Sequence, residues 1–424
     1  MSSTLSQRLS HGLLALPLTF AGLPIYLHAP DFYAADLGIP LSTIGLVLLA
    51  LRMVDAVQDP LIGALSDRYF YHRSRIVLLG ALLLAGGFWL LFHPPLKASQ
   101  FVYLSWLMLS VLICTTGFSI ASINLQAAGG LWPVPIEERT SIAATREGLG
   151  LIGLLCAAIV PALLFNAMPR HAALHYVCLF LIPLLGVGLR VFARWLNTTP
   201  LMAPHTHSAL GWRDLLAFKW INRFLIIFAL SAFASAIPGI LVLFYVRDYL
   251  LLESYTGLFL LLYFLSGVLA MPLWQRVTRI LSKPMVWLLS MVLACSVFSL
   301  AFMLPPQSLV AFSLVCVGSG MALGADLALP QAIMADHISA QPQAASRYFA
   351  LMAFLSKAAL ALATGIVLPL VGWFGFQPGS SAHNDILPFA YALIPCCLKA
   401  VCVGLLFYYT RRYYAPQVNT APNY

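Results

Sequence analysis

Asp55-Ala56-Val57-Gln58-Asp59-Pro60-Leu61-Ile62-Gly63-Ala64-Leu65-Ser66-Asp67-Arg68 closes an apolar run that begins near residue 42. Two acids sit inside that run, and a short basic turn with Arg73 and Arg75 follows it. The pattern returns 212 residues later: Pro272-Leu273 ends a second apolar run and leads to Arg276, Arg279 and Lys283. The offset is half of the 424-residue chain, so the sequence reads as two copies of one unit.

A helix that spans a membrane needs about 20 mostly apolar residues, because backbone groups cannot stay unpaired in hydrocarbon. Runs of that kind recur twelve times, from 11–28 and 42–64 through 348–372 to 387–410. The longest polar break, 197–221, holds Pro200, Pro204, His205 and His207. The sequence therefore predicts an all-α integral membrane protein of twelve spans. Its parts are an N-terminal six-helix half (1–196), a central loop (197–221) and a C-terminal six-helix half with a short tail (222–424). The composition agrees: 61% of residues are hydrophobic and 9% charged, where a soluble domain carries about 25%. That excludes a soluble enzyme, a nucleic-acid binder and a disordered chain. No P-loop, GxSxG or HExxH motif is present, and no enzyme activity is expected.

The loops set the orientation. If the N-terminus is cytoplasmic, 17 of the 23 Lys and Arg fall in cytoplasmic loops or the adjoining helix ends. Only Lys97, Arg170 and Arg247 fall on the other side, while Arg52, Lys357 and Lys399 lie within spans. This is the positive-inside asymmetry, and it places both termini in the cytoplasm. The start of the chain lacks the small-residue cleavage site of a signal peptide. The eight cysteines lie almost wholly in apolar runs without CxxC or Cys/His spacing, so they read as small buried thiols. Trp132, Trp220, Trp274, Tyr408, Tyr409, Tyr413 and Tyr414 read as interfacial belt residues.

Gly63-Ala64-Leu65-Ser66-Asp67-Arg68 with Arg73 resembles the loop 2–3 motif of the major facilitator superfamily. Asp55 through Gly63 resembles the second helix of the glycoside–pentoside–hexuronide:cation symporters, the melibiose permease family. Glu138-Arg139-Thr140-Ser141 with Arg146, Leu243-Phe244-Tyr245-Val246, Leu262-Tyr263-Phe264-Leu265 with Pro272, and Ala335-Asp336 with Arg347 and Lys357 resemble further stretches of that family in order. The resemblance implies the major facilitator fold and a monomeric secondary transporter, expected in a bacterial inner membrane. Its activity would be Na⁺- or H⁺-coupled symport of a small solute, sugars and glycosides included, by alternating access. Apart from the coupling ion no cofactor is implied, and no nucleic acid. The chain departs from the family in its first helix. His11 through Leu18 carries no acidic residue where the sugar symporters hold a charged pair, and Ser122 to Gln126 is uncharged where the melibiose permease holds an acid. An amphipathic or lipid-like substrate on the same fold is the alternative.

Ionisable groups inside a span are costly and usually face a cavity. Asp55 and Asp59 are four apart and share a helix face with Gln58 and Arg52 nearby. Two carboxylates so close need a proton, a bound cation or Arg52 to be tolerated. Their oxygens suit a hard cation such as Na⁺, so Asp55, Gln58 and Asp59 are the expected coupling site. The other reading is a salt bridge that only packs helices. Ser122, Gln126, Arg146 and Lys357 are the candidate cavity residues, with Lys357 expected opposite the acid pair. Arg52 and Asp326 are candidate charge partners; Asp326 either lines the cavity or pairs with Lys357 or Lys399. Asp67, Arg68 and Arg73 are expected to gate the cytoplasmic side.

Overall fold

The computed structural model describes residues 3–203, 212–338, 341–376 and 386–414. His205, His207 and most of the loop before the last helix lie outside them. Among the described residues all regular structure is helical. Twelve long helices carry it. In the first half they are α1 (Leu5–Ala35), α2 (Leu41–Arg68), α3 (Arg73–Phe92), α4 (Gln100–Gly130), α5 (Ile136–Ala167) and α6 (Arg170–Thr198). In the second they are α7 (Lys219–Tyr249), α8 (Thr256–Val277), α9 (Lys283–Met303), α10 (Leu309–Ile338), α11 (Ala345–Trp373) and α12 (Ile386–Arg412). A short helix, Trp212–Ala217, precedes α7 where the sequence suggests only loop.

Eleven of these segments are long and apolar enough to cross a membrane. The twelfth, α2, carries Arg52, Asp55, Asp59, Asp67 and Arg68 along its 28 residues. Several helices outrun their apolar cores: α4 continues through Asn124 to Gly130 and α10 to Ile338. An apolar run measures the hydrocarbon a helix crosses, whereas its backbone hydrogen bonds continue beyond it. Pro60 and Pro272 both lie inside the second helix of their six, as the repeat requires.

Contacts divide the chain into two units. The first is Met1–Ala209 together with Met334–Phe354, and the second is Leu210–Ile333 with Leu355–Tyr424. The end of α10 and the start of α11 thus belong to the N-terminal unit, where the sequence suggests a boundary only at the central loop. Within the first unit α1 and α3 pack on α6; within the second α7 and α9 pack on α12. The same pairing in both units is the physical content of the repeat.

Each unit has its own apolar core. In the first, Leu84, Phe88 and Leu91 of α3 are buried with Val111 and Cys114 of α4. In the second, Tyr245, Phe259, Phe312 and Tyr391 form an aromatic cluster, with Tyr245 and Tyr391 stacked at 4.2 Å. Leu46, Leu61, Phe101 and Leu269 point outward, as side chains facing lipid do.

Two tryptophans leave the expected belt. Trp132 is buried with Trp195 and Phe192 around the His11 ring, whose Nε2–H donates to the Leu125 carbonyl at 3.0 Å. Trp274 is buried and donates to the Met321 carbonyl at 2.8 Å. A tryptophan near a helix end is amphipathic in sequence, but its indole N–H here finds a carbonyl inside the protein. Tyr409 is also buried, while Tyr408 stays exposed.

Candidate functional site

Asp55 and Asp59 sit one turn apart on α2, and both are buried, at 5% and 0% exposure. Asp55 Oδ1 accepts from Gln58 Nε2 at 2.9 Å and from Ser119 Oγ at 3.3 Å. Gln58 Oε1 in turn accepts from Thr116 Oγ1 at 2.9 Å. Thr116 and Ser119 are three apart on α4, so they present one hydroxyl pair to α2. The result is a patch of carboxylate, amide and hydroxyl oxygens within an apolar helix pair. Arg52 does not close it. Its guanidinium lies over the Tyr26 ring, 4.7 Å from the centroid, and among the described residues it makes no ion pair with Asp55. No cluster of three or more His, Cys, Asp or Glu among the described residues is placed to hold a metal. A cation between these acids would therefore complete its shell with the neutral oxygens of Gln58, Thr116 and Ser119.

A second polar cluster ends the same helix. Asp67 Oδ1 accepts from the Ser346 amide at 2.8 Å, and Oδ2 accepts from the Arg347 amide and Arg347 Nε, both at 3.1 Å. Asp67 thus places a negative charge on the exposed amides at the start of α11, where the helix dipole favours it. The Asp67 and Arg347 side chains are 3% and 6% exposed. Arg73 spans the gap to α4: Nη1 donates to Asn124 Oδ1 at 3.1 Å and Nη2 to Ser346 Oγ at 3.1 Å. Asn124 Nδ2 donates to Ser66 Oγ at 2.9 Å. Arg68 is exposed beside the Tyr69 ring and stands outside this network. Nearby, Arg139 lies 3.8 Å from Asp336 and donates to the Ala335 carbonyl.

Ser122 Oγ donates back to its own helix at the Ser119 carbonyl, 3.4 Å away. Gln126 Oε1 is buried and has no hydrogen-bond partner among the described residues. Arg146 is buried and pairs with the adjacent Glu147 at 2.5 Å. Lys357 is half-buried on α11. Asp326 resolves the choice left by the sequence: its Oδ2 lies 2.5 Å from Lys399 Nζ.

Asn124, Ser66, Thr116, Ser119 and Ser346 have contacts that the sequence did not single out. Asn124 lies two residues from both Ser122 and Gln126, which turns it to another face of α4. A polar residue inside an apolar helix was the available signal; which face it served was not.

Twelve helices in two similarly paired sixes, with buried acids on the second, define a membrane transporter of the major facilitator fold. The sequence family that matches is described as MFS/sugar transport protein, and it matches residues 9–410. The chain belongs to that family and is a multi-pass membrane protein. No curated protein matches the chain in sequence. Among solved structures, a bacterial homologue of the iron transporter ferroportin in an outward-facing state is similar with a TM-score of 0.75 and 16% identity, over 96% of this chain and all of that one. The human organic anion transporter MFSD10 is similar with a TM-score of 0.65 and 17% identity, over 95% of this chain and 100% of its own. The Escherichia coli fucose:proton symporter FucP follows at 0.66 and 12%, over 96% and 97%. Identities this low describe the fold alone.

Proposed function

We propose that the protein is a secondary active transporter that moves a small solute by alternating access, coupled to Na⁺ or H⁺. The observation that carries this reading is the buried pair Asp55 and Asp59, one turn apart in an apolar span and edged by Gln58, Thr116 and Ser119. Adjacent buried carboxylates repel unless a cation or proton is shared between them. A cation that enters relieves the repulsion and favours the state in which the site is closed. If the solute favours the same state, ion and solute each raise the other's affinity, by about 5- to 150-fold for a coupling of about 1–3 kcal/mol. The family description and the fucose:proton symporter among the similar folds support a small polar solute, sugars included. The proposed cytoplasmic gate is Asp67 and Arg73 with Arg347, Ser346 and Asn124.

The test is concentrative uptake in proteoliposomes with an imposed Na⁺ or H⁺ gradient. Asp59→Asn keeps the shape and removes the charge. It is expected to abolish ion-driven accumulation while allowing downhill exchange. Wild-type ion dependence in that variant would remove α2 from the coupling mechanism.

A further inference from the structure

The second unit contains a cavity of about 170 Å³ that none of the features above requires. Its walls come from α7, α8, α9, α10 and α12, and they are mostly apolar and aromatic, with Phe259, Phe264, Phe298 and Tyr391 among them. Asp326 and Lys399 line it together, their charged atoms 2.5 Å apart.

The pair is built so that each partner has an anchor besides the other. Asp326 Oδ1 accepts from Trp287 Nε1 at 2.8 Å, and Oδ2 also accepts from Ser235 Oγ at 3.2 Å. Lys399 Nζ donates to Ser231 Oγ at 2.8 Å. Separating the two charges therefore leaves neither without a hydrogen bond. An ammonium has three N–H donors, and two are used here among the described residues.

The helices around the pair are interrupted. Pro238 of α7 and Pro395 of α12 line the cavity, and neither can donate to the carbonyl four residues back, at Ala234 and Tyr391. Wide π-helical turns, Tyr245–Tyr249 and Phe389–Leu393, put Val246 and Tyr391 on its wall. Such turns cluster at functional sites because they re-aim side chains.

Charge balance selects the guest. The ion pair makes the site formally neutral, so a guest with one charge leaves a net charge buried in an apolar compartment, at high cost. A polyhydroxylated neutral guest could use the Tyr263 and Tyr391 hydroxyls but leaves the buried ion pair unengaged, and the serine donors are already committed. Ser319 Oγ is committed to the Val315 carbonyl at 2.7 Å, and Ser235 to Asp326. A guest with both charges replaces the pair's mutual contact at both ends. The volume lies below the roughly 300–1,000 Å³ typical of pockets for drug-sized ligands, which suits a small guest.

We propose that this cavity binds a small zwitterion with an apolar or aromatic body, its ammonium on Asp326 and its carboxylate on Lys399. The inference rests on the transporter reading and supplies the solute class.

The experiment is equilibrium binding to the purified full chain in detergent, without an ion gradient. The probes are phenylalanine and leucine (both charges), phenethylamine (cation only), 3-phenylpropionate (anion only) and methyl glucoside (neutral). Phenylalanine or leucine is expected to bind, and each of the other three at least ten-fold more weakly. Lys399→Met alone would strand Asp326, so the charge test uses Asp326→Asn with Lys399→Gln, which removes both charges together. That variant is expected to lose phenylalanine binding by ten-fold or more. Leu260→Trp, which narrows the cavity and leaves the pair intact, is expected to weaken it as well. Failure of both zwitterions to bind wild-type protein overturns the proposal. So does equal binding of a single-charge probe or the glucoside, or wild-type affinity in the folded Asp326/Lys399 double variant. Wild-type ion dependence of uptake in Asp59→Asn, with phenylalanine binding intact, would instead count against the coupling role of α2 alone.

Discussion

Asp67 at the end of α2 caps the first turn of α11 and holds the Arg347 side chain, with Arg347 Nε at 3.1 Å and both groups nearly dry. The contact joins two segments 280 residues apart in sequence. Both segments belong to the N-terminal unit. Asp67→Asn keeps an acceptor for the amides and removes the charge. Hydrogen bonds to charged groups are worth about 1.5–3 kcal/mol, so transport is expected to slow about ten-fold or more. Equilibrium solute affinity should stay within a few-fold, because the residue stands away from the acid pair. Loss of all binding in a folded Asp67→Asn protein would contradict a gating role.

Gly63 lies one helical turn before Asp67 and lets α2 meet the same segment. A Cβ there would come within 2.5 Å of Ala350 Cβ and 2.8 Å of the Ser346 carbonyl oxygen. Gly63→Ala is expected to destabilise the protein by about 1–3 kcal/mol through overpacking. Gly86, on the outer face of α3, has open space where its Cβ would be. Gly86→Ala should therefore be neutral or stabilising by up to about 1 kcal/mol, since alanine is the better helix former. Thermal melting of the two variants in one detergent checks both signs. Equal effects would mean that the α2 contact is not close in the folded protein.

The helices were legible because a spanning segment must satisfy its backbone internally, and a long apolar run records that need in every residue. The unusual chemistry of α2 was legible for the complementary reason: acids in such a run stand out. What packs against them was not. Asn124 carries the contact to Arg73 while Ser122 bonds to its own helix, a difference of face that a single sequence does not weigh. Asp326 had two possible lysine partners, and only tertiary packing selects Lys399. Trp132 and Trp274 are buried for the same reason, since an indole suits a headgroup layer or a protein interior equally well: Trp132 packs on His11 and Trp195, and Trp274 donates to a carbonyl.

Orientation is open to direct measurement at two well-exposed positions. Leu96, between α3 and α4, is 94% exposed, and Ile280, between α8 and α9, is 85% exposed. With the N-terminus cytoplasmic, the first faces outward and the second inward. In a cysteine-free background, Leu96→Cys should react with an impermeant maleimide added to intact cells, and Ile280→Cys only after the membrane is opened. The reverse pattern would invert the topology and move the basic turns to the outside.

The last prediction concerns the support of the acid pair rather than the pair itself. Asp55 is held by Gln58 and Ser119, and Gln58 is oriented by the Thr116 hydroxyl at 2.9 Å. Thr116→Val is close in shape and removes only that hydroxyl. The Gln58 carbonyl, left without it, costs about 1–3 kcal/mol if unsatisfied, and the amide is then free to turn away from Asp55. The variant also removes the Thr116 oxygen from the shell, so a cation that uses these neutral oxygens should bind about 5- to 150-fold more weakly for a loss of about 1–3 kcal/mol. A proton needs no such shell. Uptake driven by an H⁺ gradient should therefore survive Thr116→Val, while half-saturation for Na⁺ rises. The measurement is initial uptake rate against Na⁺ concentration at fixed pH, repeated with an H⁺ gradient alone. A variant with unchanged Na⁺ half-saturation in an Na⁺-driven protein would show that Gln58 and Thr116 merely pack α2 against α4. Asp55 and Asp59 would then have to hold the ion without them.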